Sequence, residues 1–286
     1  MSIGKDWSGK VAVITGGATG IGLALAQALA REGMDLVLAS RDPAKLEAAE
    51  AALEDSGRRV LTVACDVADR PQVYALAAQA KAAFGQVDLL CANAGTTTAG
   101  PLRDHADADW DWAIDVNLRG VTNCIQAFYP DMAERRSGTI MLTGSQTALA
   151  PDWVLNHGPY VAAKAGVMAL ASLLRAEAAQ VGVAVSLLIP AATDTQIGPN
   201  ARLVRPDAPH MTVRADALAP LAEFPFMLSP EEVAARALAG LRDNAPIIVT
   251  HAGMKPLVED YFAKILAAYD VAARFRPERE TASAGA

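Results

Sequence analysis

Tyr160 and Lys164 are the two residues whose types and spacing most directly indicate chemistry. They lie four residues apart in the segment 158–164, with Ser145 upstream, and on a helix this spacing places both side chains on one face. The Lys164 ammonium can then favour the phenolate form of Tyr160. A free tyrosine titrates near pH ~10, and lowering its pKa to about 7 requires roughly 4 kcal/mol. One lysine does not supply this stabilisation of the phenolate alone. The pair therefore predicts an acid/base catalyst chiefly if a cationic, oxidised nicotinamide also binds.

A glycine-rich loop near the N-terminus predicts the site for such a dinucleotide. The apolar run Val11–Ile14 is typical of a buried strand, the loop 15–22 contains four glycines, and a helical pattern follows from Leu23 to Arg31. Glycines let the backbone approach a pyrophosphate, and the N–H groups at the start of the helix face the anion. A P-loop is excluded, because Leu23 stands where that motif requires a lysine.

Together, the glycine loop and the Tyr160–Lys164 pair resemble motifs of the short-chain dehydrogenase/reductase family, and the resemblance runs from about residue 10 to about residue 195. Its TGxxxGxG motif is matched by Thr15, Gly16, Gly20 and Gly22, and its YxxxK motif by Tyr160 and Lys164. Further matching positions, in chain order, are Asp66, Val67, Asn93, Ala94, Gly95, Asn117, Ser145, Pro190 and Thr195.

The resemblance implies a role for each of these residues. Tyr160 would be the general acid/base, Ser145 would hydrogen-bond the substrate oxygen, Lys164 would lower the Tyr160 pKa and hold the nicotinamide ribose, and Asn117 would hold a relay water. The predicted cofactor-binding residues are Gly16, Thr19, Gly20, Ile21, Gly22, Ser40, Arg41, Asp66, Val67, Asn93, Ala94, Gly95, Tyr160, Lys164, Pro190, Thr193 and Thr195. The predicted substrate-binding residues are Ser145, Gln146, His157 and Tyr160.

For some of these residues a non-catalytic interpretation stays open. Tyr160 could be an interface tyrosine and Lys164 a solvated helix lysine, although the joint match with Ser145 and Asn117 argues against both interpretations. Asn93 could cap a turn, contact the cofactor, or do both. His157 could touch the substrate or be a loop histidine bonded to the backbone.

The chain departs from the family pattern at two places. Ala191 replaces the glycine that usually follows the proline of the PGxxxT loop, and an alanine backbone is more restricted. The spacing from Ser145 to Tyr160 is also slightly longer than is common, so we expect the intervening segment to bulge into the substrate entrance.

Ser40 and Arg41 at the end of the second predicted strand bear on the cofactor. An acidic residue at position 40 would bind the ribose hydroxyls of NAD and repel a 2′-phosphate, whereas the Arg41 guanidinium can bind that phosphate. The residues therefore predict NADP(H) over NAD(H), with NAD(H) possible. The alternative is a solvated arginine beside Asp42.

Apolar runs alternate with helical patterns along the whole chain. The runs are 11–14, 36–39, 60–64, 87–91, 139–143, 183–189 and 247–250. This order predicts an α/β fold with a doubly wound, Rossmann-type parallel sheet covered by helices on both faces. We expect one domain over residues 1–275, with a substrate lid at about 191–230 and a disordered tail at 276–286.

Composition excludes several other classes of protein. The net charge is −7 and the pI about 5.1, with no basic stripe that could bind nucleic acid. No apolar run is long enough to cross a membrane, and the histidines lack metal-ligand spacing. The N-terminus lacks the apolar core of a signal peptide. Three cysteines, read as buried reduced thiols, favour the cytoplasm.

The substrate is expected to be a bulky hydrophobic or aromatic secondary alcohol or ketone, since the lid segment is rich in apolar residues. The lid and the terminal helix at about 255–273 are similar to those of dehydrogenases that oxidise the benzylic alcohol of lignin-derived aryl ethers. By analogy a homodimer or homotetramer is expected. Two alternatives stay open: a non-catalytic dinucleotide-binding sensor, and an NAD-dependent dehydrogenase of aryl alcohols.

Overall fold

The computed structural model describes residues 6–195, 197, 212–213 and 227–275. Its strands are β1 (Val11–Thr15), β2 (Asp35–Ser40), β3 (Val60–Ala64), β4 (Leu89–Ala92), β5 (Thr139–Thr143), β6 (Val154–Leu155), β7 (Ala184–Ile189), β8 (Thr212–Val213) and β9 (Ile247–Val249). Its helices are α1 (Gly20–Arg31), α2 (Pro43–Ala51), α3 (Arg70–Phe84), α4 (Asp107–Ile114), α5 (Gly120–Glu134), α6 (Gly158–Ala179), α7 (Pro230–Arg242) and α8 (Lys255–Ala273).

Seven strands form one parallel sheet in the order β3-β2-β1-β4-β5-β7-β9. The order reverses between β1 and β4, and this reversal opens a crevice at the carboxyl ends of the strands. The predicted α/β fold, a doubly wound Rossmann-type sheet, is confirmed.

Helices cover both faces of the sheet, and alternate residues of each central strand point to opposite faces. Val11 and Val13 of β1 pack in the cluster that contains α3, α5 and α6. Ala12 and Ile14 of the same strand pack in the cluster that contains α1, α2 and α7. Because both faces are covered, β1 and β5 are buried along their whole length. This explains why the strands read as continuous apolar runs in the sequence.

The helical region from Asp107 to Glu134 is interrupted near its middle. Between α4 and α5, the segment Asp115–Arg119 is a π-helix, and such local widenings of a helix often occur at functional sites. The next residue, Gly120, packs against Val67, where an added Cβ would lie 2.6 Å from Val67 Cγ2. A glycine is therefore needed where α5 begins.

The long segment between Ser145 and Tyr160 contains ordered structure. Strand β6 pairs antiparallel with β8, with Val154 opposite Val213, and Trp153 and Val154 are buried. Most of the predicted lid, at 198–211 and 214–226, and the predicted disordered tail at 276–286 lie outside the described residues.

Cys65, Cys91 and Cys124 are buried and free, as expected. Burial raises the pKa of Cys65 to about 11 and the pKa of Cys91 and Cys124 to about 12, so these thiols are unreactive. Over the ranges given above, no helix has the length and apolar character needed to cross a membrane.

Candidate active site

A cavity of about 490 Å³ lies at the carboxyl ends of the central strands, at the reversal of strand order. Its walls come from the glycine loop, the ends of β4 and β5, the start of α6 and the loop after β7. Predicted site residues in its lining are Gly16, Thr19, Gly20, Ile21, Gly22, Asn93, Ala94, Gly95, Ser145, His157, Tyr160, Lys164, Pro190, Thr193 and Thr195. The two predicted halves of the site, catalytic and dinucleotide-binding, thus share one cavity.

The glycine loop forms the floor of this cavity because no side chain would fit there. A Cβ on Gly22 would lie 2.0 Å from the Gly16 carbonyl oxygen, and a Cβ on Gly16 would lie 2.9 Å from Ala94 Cα. Gly16 and Gly20 also have positive φ values of 65° and 53°, which favour glycine. The loop therefore packs against β4 and leaves its backbone accessible to a ligand.

The N-terminus of α1 differs from those of α2, α3 and α7. Those helices are capped by the side chains of Asp42, Asp69 and Ser229, whereas Thr19 makes no side-chain capping bond to α1. The first N–H groups of a helix have no partner within the helix. At α1 these groups, from residues 20–22 in the cavity lining, suit the pyrophosphate of a dinucleotide.

Asn93 holds two strands together beside the glycine loop. Its Nδ2 donates to the Thr15 carbonyl oxygen (3.1 Å), and its Oδ1 accepts from Thr143 Oγ1 (3.3 Å). The Thr15 hydroxyl oxygen in turn accepts from the backbone N of Asn93 and Ala94. Asn93 therefore fixes the turn, and it also lines the cavity.

Lys164 is buried beneath the cavity, one helical turn from Tyr160. Its Nζ lies 5.7 Å from the centroid of the Tyr160 ring and donates to the Thr143 carbonyl oxygen (2.8 Å). Burial lowers the pKa of Lys164 to about 8. An ammonium has three N–H donors, so two remain for other partners.

The groups of the protein alone do not lower the pKa of Tyr160. Burial raises this pKa, and the hydrogen bond with Ser145 acts in the opposite direction. This agrees with the expectation that Lys164 is insufficient by itself. Any large lowering of the Tyr160 pKa must come from a further positive charge.

Ser145 is oriented by Thr147, a residue that the sequence analysis did not select. The Ser145 Oγ accepts hydrogen bonds from the Thr147 backbone N (3.2 Å) and from Thr147 Oγ1 (2.9 Å). A hydroxyl oxygen has two lone pairs, and both are then used. The Ser145 proton must therefore be donated to another group. The only sequence signal for Thr147 was a second hydroxyl two positions after Ser145.

Asn117 lies in the π-helical segment and is fully buried. Its Nδ2 donates to the Ala113 carbonyl oxygen and its Oδ1 accepts from the Thr96 backbone N. A Cβ added to Gly95 would lie 3.0 Å from Asn117 Oδ1 and 3.6 Å from Lys164 Nζ. Asn117 thus approaches Lys164 across Gly95, although it is not in the cavity lining.

Of the two further predicted substrate-binding residues, His157 lines the cavity and Gln146 does not. The His157 Nδ1 lies 2.9 Å from Thr97 Oγ1, its ring centroid lies 5.1 Å from that of Tyr160, and it lines the cavity. Burial lowers the His157 pKa to about 4, so the imidazole is neutral. Gln146 is buried outside the cavity lining, and its backbone N donates to the Pro190 carbonyl oxygen (2.8 Å). The structure therefore does not bring the Gln146 side chain to the expected substrate position.

Ser40, Arg41, Asp66 and Val67 lie beyond the lined cavity, at the ends of β2 and β3. The Arg41 guanidinium stacks 4.6 Å from the centroid of the Trp112 ring and lies 3.9 Å from the Asp66 carboxylate, with about half of its side chain (52%) exposed. Trp112, which the sequence analysis missed, donates from Nε1 to Thr96 Oγ1.

Comparison with known proteins decides the family. The model of the family described as short chain dehydrogenase matches residues 10–204. The chain belongs to this family. It is therefore an oxidoreductase of the short-chain dehydrogenase type, and its open glycine loop and uncapped α1 fit a nicotinamide dinucleotide. Within the described part of the chain, no group of three metal-ligating side chains occurs.

Individual relatives extend over most of the chain. A C alpha-dehydrogenase from a Sphingobium species is 33% identical over 92% of this chain and 87% of its own. The (2S)-[(R)-hydroxy(phenyl)methyl]succinyl-CoA dehydrogenase subunit BbsD of Thauera aromatica is 36% identical over 63% of this chain and 72% of its own. A short-chain dehydrogenase/reductase from Burkholderia phymatum, solved in complex with NAD, is 32% identical, with a TM-score of 0.80, over 95% of this chain and 97% of its own.

Proposed function

We propose that the protein transfers a hydride between NADP(H) and a bulky hydrophobic or aromatic secondary alcohol or ketone, with Tyr160 as general acid/base. One observation carries the proposal: Ser145, Tyr160 and Lys164 line the same cavity as the uncapped start of α1. A non-catalytic sensor would have no use for the catalytic set. Both hydride-transfer partners would meet where the strands end.

In alcohol oxidation, Tyr160 as phenolate takes the hydroxyl proton of the substrate. Ser145 donates to the substrate oxygen, because Thr147 already occupies both lone pairs of the Ser145 Oγ, and this bond stabilises negative charge on that oxygen. In the reverse direction, the Tyr160 phenol returns the proton to the oxygen. The bound nicotinamide would accept or supply the hydride.

Lys164 would hold the nicotinamide ribose with the N–H groups that the Thr143 carbonyl leaves available. Its positive charge and that of the oxidised ring together favour the Tyr160 phenolate. Asn117, which lies across Gly95 from Lys164, would hold a water molecule that exchanges protons with Lys164. The residues would thus form a proton path from Tyr160 through Lys164 to solvent.

The preference for NADP(H) is supported by the end of β2. Ser40 carries no charge that would repel a 2′-phosphate, and the half-exposed Arg41 can turn toward one. Asp66 and Trp112 are its present partners, and a surface ion pair of this kind is weak. NAD(H), which the Burkholderia phymatum relative binds, is the competing cofactor.

The apolar part of the cavity supports a hydrophobic substrate. Trp153, Val154, Ile197 and Met227 contribute apolar side chains to the cavity lining, and His157, also in the lining, is neutral. The name of the Thauera aromatica relative describes a secondary alcohol beside a phenyl ring. An aryl alcohol or aryl ketone is therefore a substrate that suits the apolar lining of the cavity and matches the substrate named for that relative.

We also propose that the protein forms a homodimer or homotetramer and is located in the cytoplasm. Ile247 and Val249 on the edge strand β9 are about half exposed, which favours a homodimer or homotetramer, and light scattering after size exclusion would test it. Buried, reduced cysteines favour the cytoplasm.

The test is oxidation of NADPH and NADH by the purified protein against aryl ketones, steroids, terpenoid ketones and short polar carbonyls, with Tyr160→Phe as the control. We expect NADPH turnover on bulky apolar ketones that the variant lacks. Preference for NADH would overturn the cofactor assignment alone. Turnover by the variant would overturn the role of Tyr160, and tight cofactor binding without turnover on any substrate would identify a sensor.

A further inference from the structure

The loop 190–195 after β7 lines the cavity and is held by backbone bonds on one side. The Leu228 backbone N donates to the Ala192 carbonyl oxygen (3.1 Å), and the Asp194 backbone N donates to the Leu228 carbonyl oxygen (3.0 Å). Leu228 is itself buried, so this side of the loop is tied to the segment that leads into α7.

His251 holds the same loop from the other side, through both nitrogens of one buried ring. The Ala191 backbone N donates to His251 Nδ1 (3.3 Å), and His251 Nε2 lies 3.0 Å from the Ala192 carbonyl oxygen. A carbonyl only accepts, so Nε2 carries the proton and Nδ1 is the acceptor. The Thr250 Oγ1 lies 2.7 Å from Nδ1 and donates to the Ile189 carbonyl oxygen (3.2 Å). The bond from the Ala191 N–H to Nδ1 exists only for the neutral imidazole with its proton on Nε2.

Ala191 is the position where the family motif has a glycine, so this contact falls on the residue that departs from the pattern. An alanine limits the backbone at the entry of the loop, and its N–H is bonded to a side chain 60 residues away. The loop shape therefore depends on a tertiary contact at that residue.

The charged groups that face His251 come from α7. Burial lowers its pKa; the Ala192 carbonyl raises it, Arg236 lowers it and Glu232 raises it, with a lowered pKa as the net result. Arg236 is fixed nearby by its bond to the Thr250 carbonyl oxygen. The neutral form that the hydrogen bonds require is thus also the form that the surroundings favour.

We propose that His251 is a positioning residue that clamps the loop 190–195 in its dinucleotide-binding shape, and that protonation of His251 releases the clamp. The proposal rests on the function proposed above, since the loop is useful only if a dinucleotide binds. A proton on Nδ1 would face the N–H of Ala191, and two donors cannot bond. The loop would lose its anchor at Ala191 while Ala192 stays bonded.

The consequence is a cofactor affinity that falls as the pH falls. Because the His251 pKa is lowered, the clamp is intact at neutral pH and is lost only as the pH drops through that lowered value. Tyr160, whose pKa is raised, stays neutral in this range, and Lys164, with a pKa of about 8, is already charged before the pH falls through the lowered His251 value. His157, with a pKa of about 4, stays neutral above pH 5.

The test compares wild type with His251→Leu, which removes both bonds, and His251→Asn, whose Oδ1 can still accept from Ala191 and does not titrate. Dissociation constants for NADP⁺ and NAD⁺ would be measured by calorimetry between pH 7 and pH 5, below the Lys164 pKa. We expect about tenfold weaker binding for the leucine variant at pH 7, since two hydrogen bonds are lost. Wild type should weaken at low pH and the asparagine variant should not.

Two further measurements make the result decisive. Hydrogen exchange of the 190–195 amides in the free protein should be faster in His251→Leu, and His105→Leu, which removes a partly buried histidine elsewhere, should leave it unchanged. Equal affinity and equal exchange in all variants would overturn the clamp. If His251→Leu does not fold, the contrast in pH dependence between wild type and His251→Asn decides. A wild type that binds no dinucleotide would overturn the proposed function, whereas exchange would still report on the clamp.

Discussion

Thr147 donates two hydrogen bonds to the Oγ of Ser145, one from its backbone N and one from its hydroxyl. Ser145 is thereby a hydrogen-bond donor toward the cavity, where the hydrogen bond that it makes with Tyr160 lowers the Tyr160 pKa against the effect of burial. The direction of the hydrogen bond that the proposed catalytic serine makes is set by Thr147.

Thr147→Val should remove one of these two bonds and leave the side-chain shape unchanged. The Ser145 proton then has a competing orientation, and the Tyr160 pKa rises. Alcohol oxidation needs the phenolate, so the rise of kcat/KM with pH, which reports the enzyme without substrate, should move to higher pH. At neutral pH kcat/KM should fall about three- to tenfold, the value of one hydrogen bond. Thr147→Ser should restore the wild-type profile. Valine and serine variants with the same profile would contradict this.

Lys164→Met should abolish turnover and at the same time raise stability. The folded pKa of Lys164 is lowered to about 8 by burial, so the charged form is destabilised in the fold at neutral pH by roughly 3 kcal/mol. In wild type, stability should therefore increase as the pH rises from about 8 to about 10.4, where only the unfolded chain keeps the proton. Denaturant unfolding at pH 7 and pH 10 measures both effects. A methionine variant less stable than wild type at pH 7 would show that the bond to Thr143 outweighs the cost of burial.

Gly22→Ala should prevent dinucleotide binding. The added Cβ would lie 2.0 Å from the Gly16 carbonyl oxygen, so the loop must move away from β4 and the start of α1 must shift. Gly57→Ala is the matched control, since that glycine has a positive φ but open space around it and should cost only about 1 kcal/mol of stability. Calorimetric titration with NADP⁺ and NAD⁺ checks this; normal binding by Gly22→Ala would exclude the loop as the pyrophosphate site.

Arg41→Ala should reduce the preference for NADP over NAD by at least about tenfold, the value of one charge-assisted contact to a phosphate. The dissociation constant of NAD should stay close to that of wild type. Trp112→Leu removes the other partner of the guanidinium and should leave the preference intact. If Arg41→Ala leaves the ratio of the two constants unchanged, Arg41 does not select the cofactor.

Local motifs made much of this molecule predictable. The glycine loop and the Tyr160–Lys164 pair work through neighbours in sequence, and strands buried on both faces read as apolar runs. Hence the sheet strands and α8 appear close to the predicted positions. Element ends were less predictable: α1 begins at Gly20 although the helical pattern was expected from Leu23, because the glycines there form both loop and first turn.

Contacts between distant segments could be decided only by the tertiary structure. Neither the stacking of Arg41 on Trp112, the approach of Asn117 to Lys164 across Gly95, nor the bond between Ala191 and His251 has a local pattern, because each joins segments that meet only after the sheet has formed. The sequence by itself determined the fold and the residues proposed to carry the chemistry of the cavity. The tertiary structure decided how those residues are held: which side chains orient Ser145, which lie outside the cavity, and which histidine bonds the loop 190–195. Side-chain orientation depends on three-dimensional neighbours, and residue type alone does not specify them.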